Sequence, residues 1–329
     1  MSRAVIARQL GPIDNYSLCS FEPPALGPND VRIAIRAVAV SYVDVLVAAG
    51  GYQVKPGVPF TPGSECAGIV TATGSAVTTL CIGQPVIATG WHGLYADTAT
   101  VPASALWPKP ENLSFAESAA LHVSYTTAWH ALADRGRLRH GETLLILGAG
   151  GATGLAAVQA GVYLGARVIA SASSEPKRRL ALQAGAHAAV DSNSSQWRDA
   201  VRAVNDGKAV DVVFDPVGGD VTQRAFRTLA WNGRHLVVGF PAGIVSLPTN
   251  LPLLKSASLI GVNVAQLSAA DPVLATNNTL RVLELAKQNH FKPVIAATYP
   301  LERFADAMRA ASQSNAAGIA GRIVIAADT

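Results

Sequence analysis

The residues whose spacing carries the most specific chemistry are the glycines of Glu142-Thr143-Leu144-Leu145-Ile146-Leu147-Gly148-Ala149-Gly150-Gly151-Ala152-Thr153-Gly154-Leu155. A short apolar run passes through clustered glycines into an Ala-rich, helix-favouring segment that continues to Leu164. Strand, tight turn and helix start form the first unit of a dinucleotide-binding fold. Gly151 lacks the Cβ that would block a pyrophosphate, and Gly154 lets the helix pack close to the strand. N–H groups of the first helical turn, at Ala152 and Thr153, then face the phosphates. The run reads Ala149-x-Gly151-x-x-Gly154, so the first glycine of the fingerprint is an alanine. Alone, the pattern also fits a glycine-rich turn in another α/β protein.

Cofactor choice is made about 20 residues further on, where an Asp or Glu would bind the ribose hydroxyls of NAD. Ser171-Ala172-Ser173-Ser174 stands there instead, followed by Lys177 and Arg178. No carboxylate at Ser173 repels a 2′-phosphate and two cations are near to accept one, which favours NADPH, with NADH as the alternative. The plainer reading of Lys177-Arg178 is a solvated helix face. Other chemistries find little support. There is no Gly-x-Ser-x-Gly elbow, the seven histidines lack ligand spacing, and Cys19, Cys66 and Cys81 lie far apart. Cys66 reads as a small packing residue, and His122 and His130 as core or solvent-facing histidines.

The elements that must position these residues follow from periodicity. Arg167–Ser171, Ala188–Val190, Val210–Phe214, Arg234–Val238 and Leu259–Val264 read as five strands after the glycine strand. Helical patterns such as Glu175–Ala184 separate them, which predicts a doubly wound parallel sheet. Upstream, a first strand at the N-terminus, the alternation of Val31–Ala37 and dense Gly/Pro punctuation predict a β-rich module. Leu113–Leu132 reads as a helix leading into the glycine strand. Asp271-Pro272 opens a helix through Lys287. Val294–Ala297, Leu301–Ala311 and Arg322–Ala326 form a β-α-β tail, with Gln313–Gly318 a polar loop.

With 329 residues, half of them hydrophobic and 15% charged, the chain has the length for two domains and a sizeable core. A net charge of +4 with scattered basic residues argues against a nucleic-acid surface. No apolar run reaches the roughly 18 residues of a membrane span, and the apolar N-terminal stretch is too short for a signal peptide. Sparse, odd-numbered cysteines fit a reducing cytoplasm.

Several stretches then carry a likeness over nearly the full length. They are Ser41-Tyr42-Val43-Asp44 with Gly51-Tyr52, Pro62-Gly63-Ser64-Glu65-Cys66-Ala67-Gly68, Ser124–Leu132, and Asp211–Gly219. The chain resembles the zinc-free quinone oxidoreductase family of the medium-chain dehydrogenase/reductase superfamily. That resemblance implies an α/β fold: a GroES-like β-rich catalytic domain (1–122 and 265–329) and a doubly wound Rossmann domain (123–264). It implies Thr127 and Phe240 beside the nicotinamide, Lys177 on the 2′-phosphate, Asp44 near the nicotinamide and Tyr52 lining the substrate pocket. Asp44 reads equally as a cap on a helix Val45–Ala49, and Tyr52 as a packing aromatic. Ser41 stands at the family's asparagine position and Ser192 at its phosphate-binding tyrosine. The expected arginine falls in Asn315-Ala316-Ala317-Gly318. Zinc enzymes of this fold carry Cys and His where Ser41 and Ser64 stand, so no metal is expected. The implied activity is NADPH-dependent hydride transfer to quinones or activated enones by a soluble cytoplasmic homodimer. The alternatives are an enoyl-thioester reductase and a cofactor-binding protein without turnover.

Overall fold

Alternation, Gly/Pro punctuation and helix caps set the element boundaries. The structure, a computed structural model, describes residues 1–53, 55–313 and 319–326. Strands β1 (Ser2–Ala7), β2 (Tyr16–Phe21) and β3 (Asp30–Val40) precede helix α1 (Tyr42–Ala48). Strands β4 (Glu65–Thr73), β5 (Pro85–Thr89), β6 (Thr98–Pro102) and β7 (Leu106–Pro108) follow, then helices α2 (Phe115–Ala119) and α3 (His122–Trp129). From there strands and helices alternate: β8 (Thr143–Leu147), α4 (Ala152–Tyr163), β9 (Arg167–Ala172), α5 (Glu175–Gln183), β10 (Ala188–Asp191) and α6 (Trp197–Ala203). The series continues with β11 (Val210–Asp215), α7 (Asp220–Phe226), β12 (Leu229–Val237), α8 (Asn250–Lys255) and β13 (Ser258–Gly261). Helices α9 (Leu267–Ala270) and α10 (Pro272–Lys287), strand β14 (Ile295–Tyr299), helix α11 (Phe304–Ser312) and strand β15 (Arg322–Ala326) complete it.

The chain forms two compact units, Met1–Val123 with Lys292–Thr329, and Ser124–Phe291. In the first, β14-β15-β3-β4-β5-β7 make a sheet, with β6 also paired to β3, and β1 and β2 form a separate hairpin-like pair. The alternation of β3 buries Val31, Ile33 and Ile35 beneath Val70, Leu94 and Tyr95. Helix α11 turns Phe304, Ala307, Met308 and Ala311 into the same core, a 3–4 spacing on one helical face. Helix α2 lays Ala119 onto Ala37, Ala39 and Ala67, where small side chains allow close approach.

The second unit is a six-stranded parallel sheet in the order β10-β9-β8-β11-β12-β13. The order reverses beside β8, the switch point at which doubly wound sheets bind ligands. All five residues of β8 are buried, as a strand covered on both faces requires. Residues 265–291, assigned from sequence to the β-rich domain, lie in this unit. Asn278 on α10 donates to Asp134 (2.7 Å), and Phe291 packs on the Tyr125 ring at 5.0 Å.

Three elements differ from expectation. The helix expected over Leu113–Leu132 breaks at Ala120-Leu121 into α2 and α3, then widens into a π-helical turn at His130–Arg135. Ser114 caps α2 through a capping box with Glu117, and the carboxylate of Glu65 accepts the Val123 N–H of α3 (2.9 Å), so each helix start has its own partner. Strand β13 stops at Gly261 because Asn263 starts a 3₁₀ turn by accepting the Gln266 N–H. The helix expected over Val45–Ala49 begins three residues earlier, at Tyr42, with Ser41 as its cap.

The close packing of α4 on β8 generates a prediction. A Cβ at residue 154 would stand 2.2 Å from the Gly148 carbonyl oxygen and 2.8 Å from the Ala149 Cα, both backbone atoms. Gly154→Ala should therefore destabilise the fold by about 1–3 kcal/mol, the cost of overpacking a tight site. Urea unfolding indistinguishable from that of the unmutated chain would contradict the prediction.

Candidate functional site

Each unit carries part of the chemistry. In the parallel-sheet unit, Gly148 turns the chain out of β8 with φ 58°, and Gly151 caps α4 in an extended conformation. A Cβ on Gly151 would meet only the Gly148 carbonyl oxygen at 3.5 Å, so the space over the turn is open on the protein side. The amides of Ala152 and Thr153 lie in the first turn of this twelve-residue helix. These features fit a dinucleotide pyrophosphate. Gly150, given no role by the sequence, also packs tightly here: a Cβ there would fall 2.5 Å from the Lys177 Cβ. The Lys177 stem thus closes the side of the turn, and burial lowers the pKa of its ammonium.

The remaining residues expected at the cofactor follow the carboxyl ends of parallel strands. Ser173 follows β9 and Ser192 follows β10. The Ser192 N–H donates to the Ala172 carbonyl (3.2 Å), and the Asn193 amide donates to the Ser173 carbonyl (2.9 Å), which brings the two serines together. The Ser171 hydroxyl is already engaged, accepting from the Trp197 indole N–H at 2.8 Å. Arg178 is not a free cation on a solvated face. Its guanidinium meets Glu175 (3.2 Å), Asp191 (3.3 Å) and the Ala172 carbonyl (3.1 Å). Phe240 lies half-exposed beyond β12, its Cα against Gly218, which takes φ 70°. Thr127 is on α3, which Tyr125 fastens to α4 by donating to Gln159 (3.0 Å). Asn315–Gly318, where the family arginine was sought, lie outside the described residues.

The sequence missed the support beneath the Pro216–Gly219 turn. One Asp215 oxygen accepts the N–H groups of Val217 and Gly218 (both 2.9 Å); the other accepts the Thr222 hydroxyl (2.6 Å) and meets His235 Nε2 (3.0 Å). Burial pushes this carboxyl up, but His235, Thr222 and the Gly218 amide together hold it below the usual range. An Asp closing an apolar strand was the available signal.

In the β-rich unit, Ser41 and Asp44 form a capping box. The Ser41 hydroxyl accepts the Asp44 N–H (3.0 Å), and Asp44 Oδ2 accepts both the Ser41 N–H and its hydroxyl (each 2.7 Å). Asp44 is therefore not the cap of a helix Val45–Ala49 but the third residue of α1, reaching back to the cap Ser41, and also the centre of a buried cluster. The Ser64 hydroxyl bonds to it and the Tyr95 hydroxyl lies 3.5 Å from it. Glu65, fully buried, bonds Arg322 at 2.6 Å, and Arg322 also faces Asp44. Burial raises both carboxyls and holds the Tyr95 phenol well above its usual range. Glu65, Tyr95 and Arg322 were not singled out from sequence, although a Glu and an Arg within apolar strands are a legible sign of a buried pair.

Tyr52 packs against this unit's core and faces Trp91, a 44%-exposed indole, with ring centroids 6.4 Å apart. Trp91 too was missed, in a loop without motif. His122 stacks on Trp107, and burial lowers its pKa to about 4; His130 is buried in the other unit against Asp134 (2.8 Å). Both are core histidines.

The donor set does not fit zinc. The two positions that would carry thiolate and imidazole hold hydroxyls bonded to Asp44, and among the described residues no group of three or more His, Cys, Asp or Glu side chains is placed to hold a metal.

A β-rich unit joined to a parallel dinucleotide-binding unit defines an oxidoreductase built for a nicotinamide cofactor. Residues 27–111 match the Alcohol dehydrogenase GroES-like domain, and residues 152–279 the family described as Zinc-binding dehydrogenase. The chain is 37% identical to Quinone oxidoreductase-like protein 2 of Mus musculus over 298 residues, 90% of this chain and 85% of that one. A probable oxidoreductase from Mycobacterium abscessus superposes with TM-score 0.88 at 33% identity, covering 99% of this chain and 100% of its own. A quinone oxidoreductase from Pseudomonas syringae gives 0.88 at 26% identity, with the same coverage. The chain belongs to the quinone oxidoreductase-like group of the medium-chain dehydrogenase/reductase superfamily.

The buried pair generates a prediction. Glu65→Ala leaves the Arg322 guanidinium without its carboxylate and frees the Val123 N–H. The expected loss is about 3–5 kcal/mol of stability. A loss below about 1 kcal/mol on urea unfolding would show that the pair is not the clamp it looks to be.

Proposed function

We propose that the chain reduces quinones or activated enones with NADPH and without a metal ion. The observation that carries the proposal is the hydroxyl-and-carboxylate cluster at Ser41, Ser64 and Asp44, where a metal would need stronger donors; the open glycine turn at Gly151 in the other unit supports the nucleotide. A bound nicotinamide supplies a hydride, and Gly151, Ala152, Thr153, Gly154 and Thr127 are the residues assigned to hold and orient it, with Ser173, Lys177 and Ser192 at the adenosine end and Phe240 beside the ring. Hydride delivery to a carbonyl-conjugated acceptor leaves an oxyanion. Without Lewis acidity, the acceptor must spread that charge itself, as quinones and conjugated enones do. Orientation then supplies most of the rate, and the Tyr52 hydroxyl contributes a hydrogen bond. Trp91, facing Tyr52, offers an aromatic surface for a planar acceptor. Ser41 and Asp44 are assigned as positioning residues.

The same reading holds the protein to be a cytoplasmic homodimer. No helix among the described residues is long and apolar enough to cross a membrane, and its three cysteines are free. Strand β13 leaves one edge of the parallel sheet open, with Leu259 exposed on it and Leu253 and Leu254 exposed nearby on α8. Light scattering should give twice the chain mass at micromolar concentration; a monomer would reject the dimer.

The function is tested by following NADPH oxidation against quinones, enals, enoyl thioesters and simple ketones, with and without a chelator. Turnover should be confined to quinones and activated enones, persist with chelator, and fall by no more than roughly 10²-fold in Tyr52→Phe. Turnover of enoyl thioesters alone would move the substrate class. Efficient oxidation of simple secondary alcohols, with quinones and enones inert, would make this mechanism untenable.

A further inference from the structure

We propose that Asp191 sets the balance between NADPH and NADH, by holding Arg178 back from a 2′-phosphate and by placing a carboxylate beside the ribose. The inference rests on the nucleotide site proposed above and concerns its charges. The end of β9 carries no acid, which by itself favours NADPH. Strand β10, however, runs parallel beside β9 with Asp191 in register with Ala172, so the Asp191 carboxylate stands next to the end of β9. One Asp191 oxygen accepts the Asn193 N–H (3.0 Å) and lies 3.3 Å from the Arg178 guanidinium. Glu175 approaches the same guanidinium at 3.2 Å, and Ala172 accepts from it at 3.1 Å.

Two carboxylates thus neutralise the cation that the sequence offers as a second phosphate ligand. To meet a 2′-phosphate, Arg178 must give up charge-assisted bonds of the kind it would form, so the exchange gains little. Asp191 adds direct repulsion of the phosphate, while its acceptor oxygens suit a ribose hydroxyl. Lys177, its stem packed on Gly150, is the second cation beside the turn. The neighbouring strand restores part of what the end of β9 lacks, leaving a modest preference for NADPH.

The test is titration of the full-length protein with NADPH and with NADH, followed by intrinsic fluorescence or calorimetry. The unmutated chain should bind both, NADPH more tightly by less than about tenfold. Asp191→Asn, and equally Asp191→Ser, should raise the NADPH:NADH affinity ratio by roughly three- to tenfold, about one released charge-assisted contact. Adding Arg178→Gln to Asp191→Asn should reduce that gain, leaving only the part that comes from relieved repulsion. An unchanged or lowered ratio in both Asp191 variants would overturn the inference while leaving the nucleotide site standing, as would a gain left wholly undiminished by loss of Arg178. Binding of neither nucleotide to the unmutated chain would overturn the inference together with the reading on which it rests.

Discussion

The second unit is arranged around an atom that Gly154 does not have. Because a Cβ there would lie 2.2 Å from the Gly148 carbonyl oxygen, only glycine lets the start of α4 approach the end of β8 as it does. The same approach brings the first-turn amides of α4 over the turn, an arrangement of backbone dipoles and N–H groups that suits phosphate oxygens. The neighbouring elements then lock onto it. The Lys177 stem packs where Gly150 has no side chain, and Trp197 reaches across to the Ser171 hydroxyl at the end of β9. Asp215 holds the turn after β11 by accepting two backbone N–H groups from it. Packing, backbone satisfaction and binding geometry here are consequences of one close contact.

The β-rich unit is governed by a different constraint, the burial of two carboxylates. Asp44 and Glu65 share the field of Arg322, and the remaining lone pairs are covered by hydroxyls and backbone N–H groups. Such a network stabilises when every member is satisfied and becomes costly when one partner is removed. Glu65 ties three distant parts of the chain together: it belongs to β4, bonds to β15 and caps the start of α3. The Ser41 and Ser64 hydroxyls both bond to Asp44, which ties them into the same network as the Glu65–Arg322 ion pair.

Much of this was legible in the sequence because the strongest signals are local. The glycine turn, the alternation of β3 and the spacing of β8 to β12 each follow from backbone conformation or one-sided burial over a few residues. What could not be read depends on residues far apart in sequence. Nothing near Glu65 indicates that Arg322 lies against it, 257 positions away. The break between α2 and α3 has the same cause, since a carboxylate from β4 supplies the cap that divides one helical pattern into two. Trp91 sits in a loop whose composition carries no periodicity, so its pairing with Tyr52 is visible only in three dimensions. Residues 265–291 group with Ser124–Phe291 through contacts such as Asn278 with Asp134, which the amphipathic pattern of α10 alone does not reveal.

Lys177 and Arg178 show how adjacency in sequence can mislead about electrostatics. As text they are two cations presented together to an anion. In the fold, the stem of one packs into the glycine turn and the head of the other is enclosed by Glu175, Asp191 and a carbonyl. A guanidinium already satisfied by carboxylates acts on an incoming phosphate only through the difference between old and new bonds. The charge that matters to a ligand is therefore the charge left over after the protein has paired its own groups. Under the proposed function, the strength of the preference for a phosphorylated cofactor depends on how firmly Arg178 is held by Glu175 and Asp191.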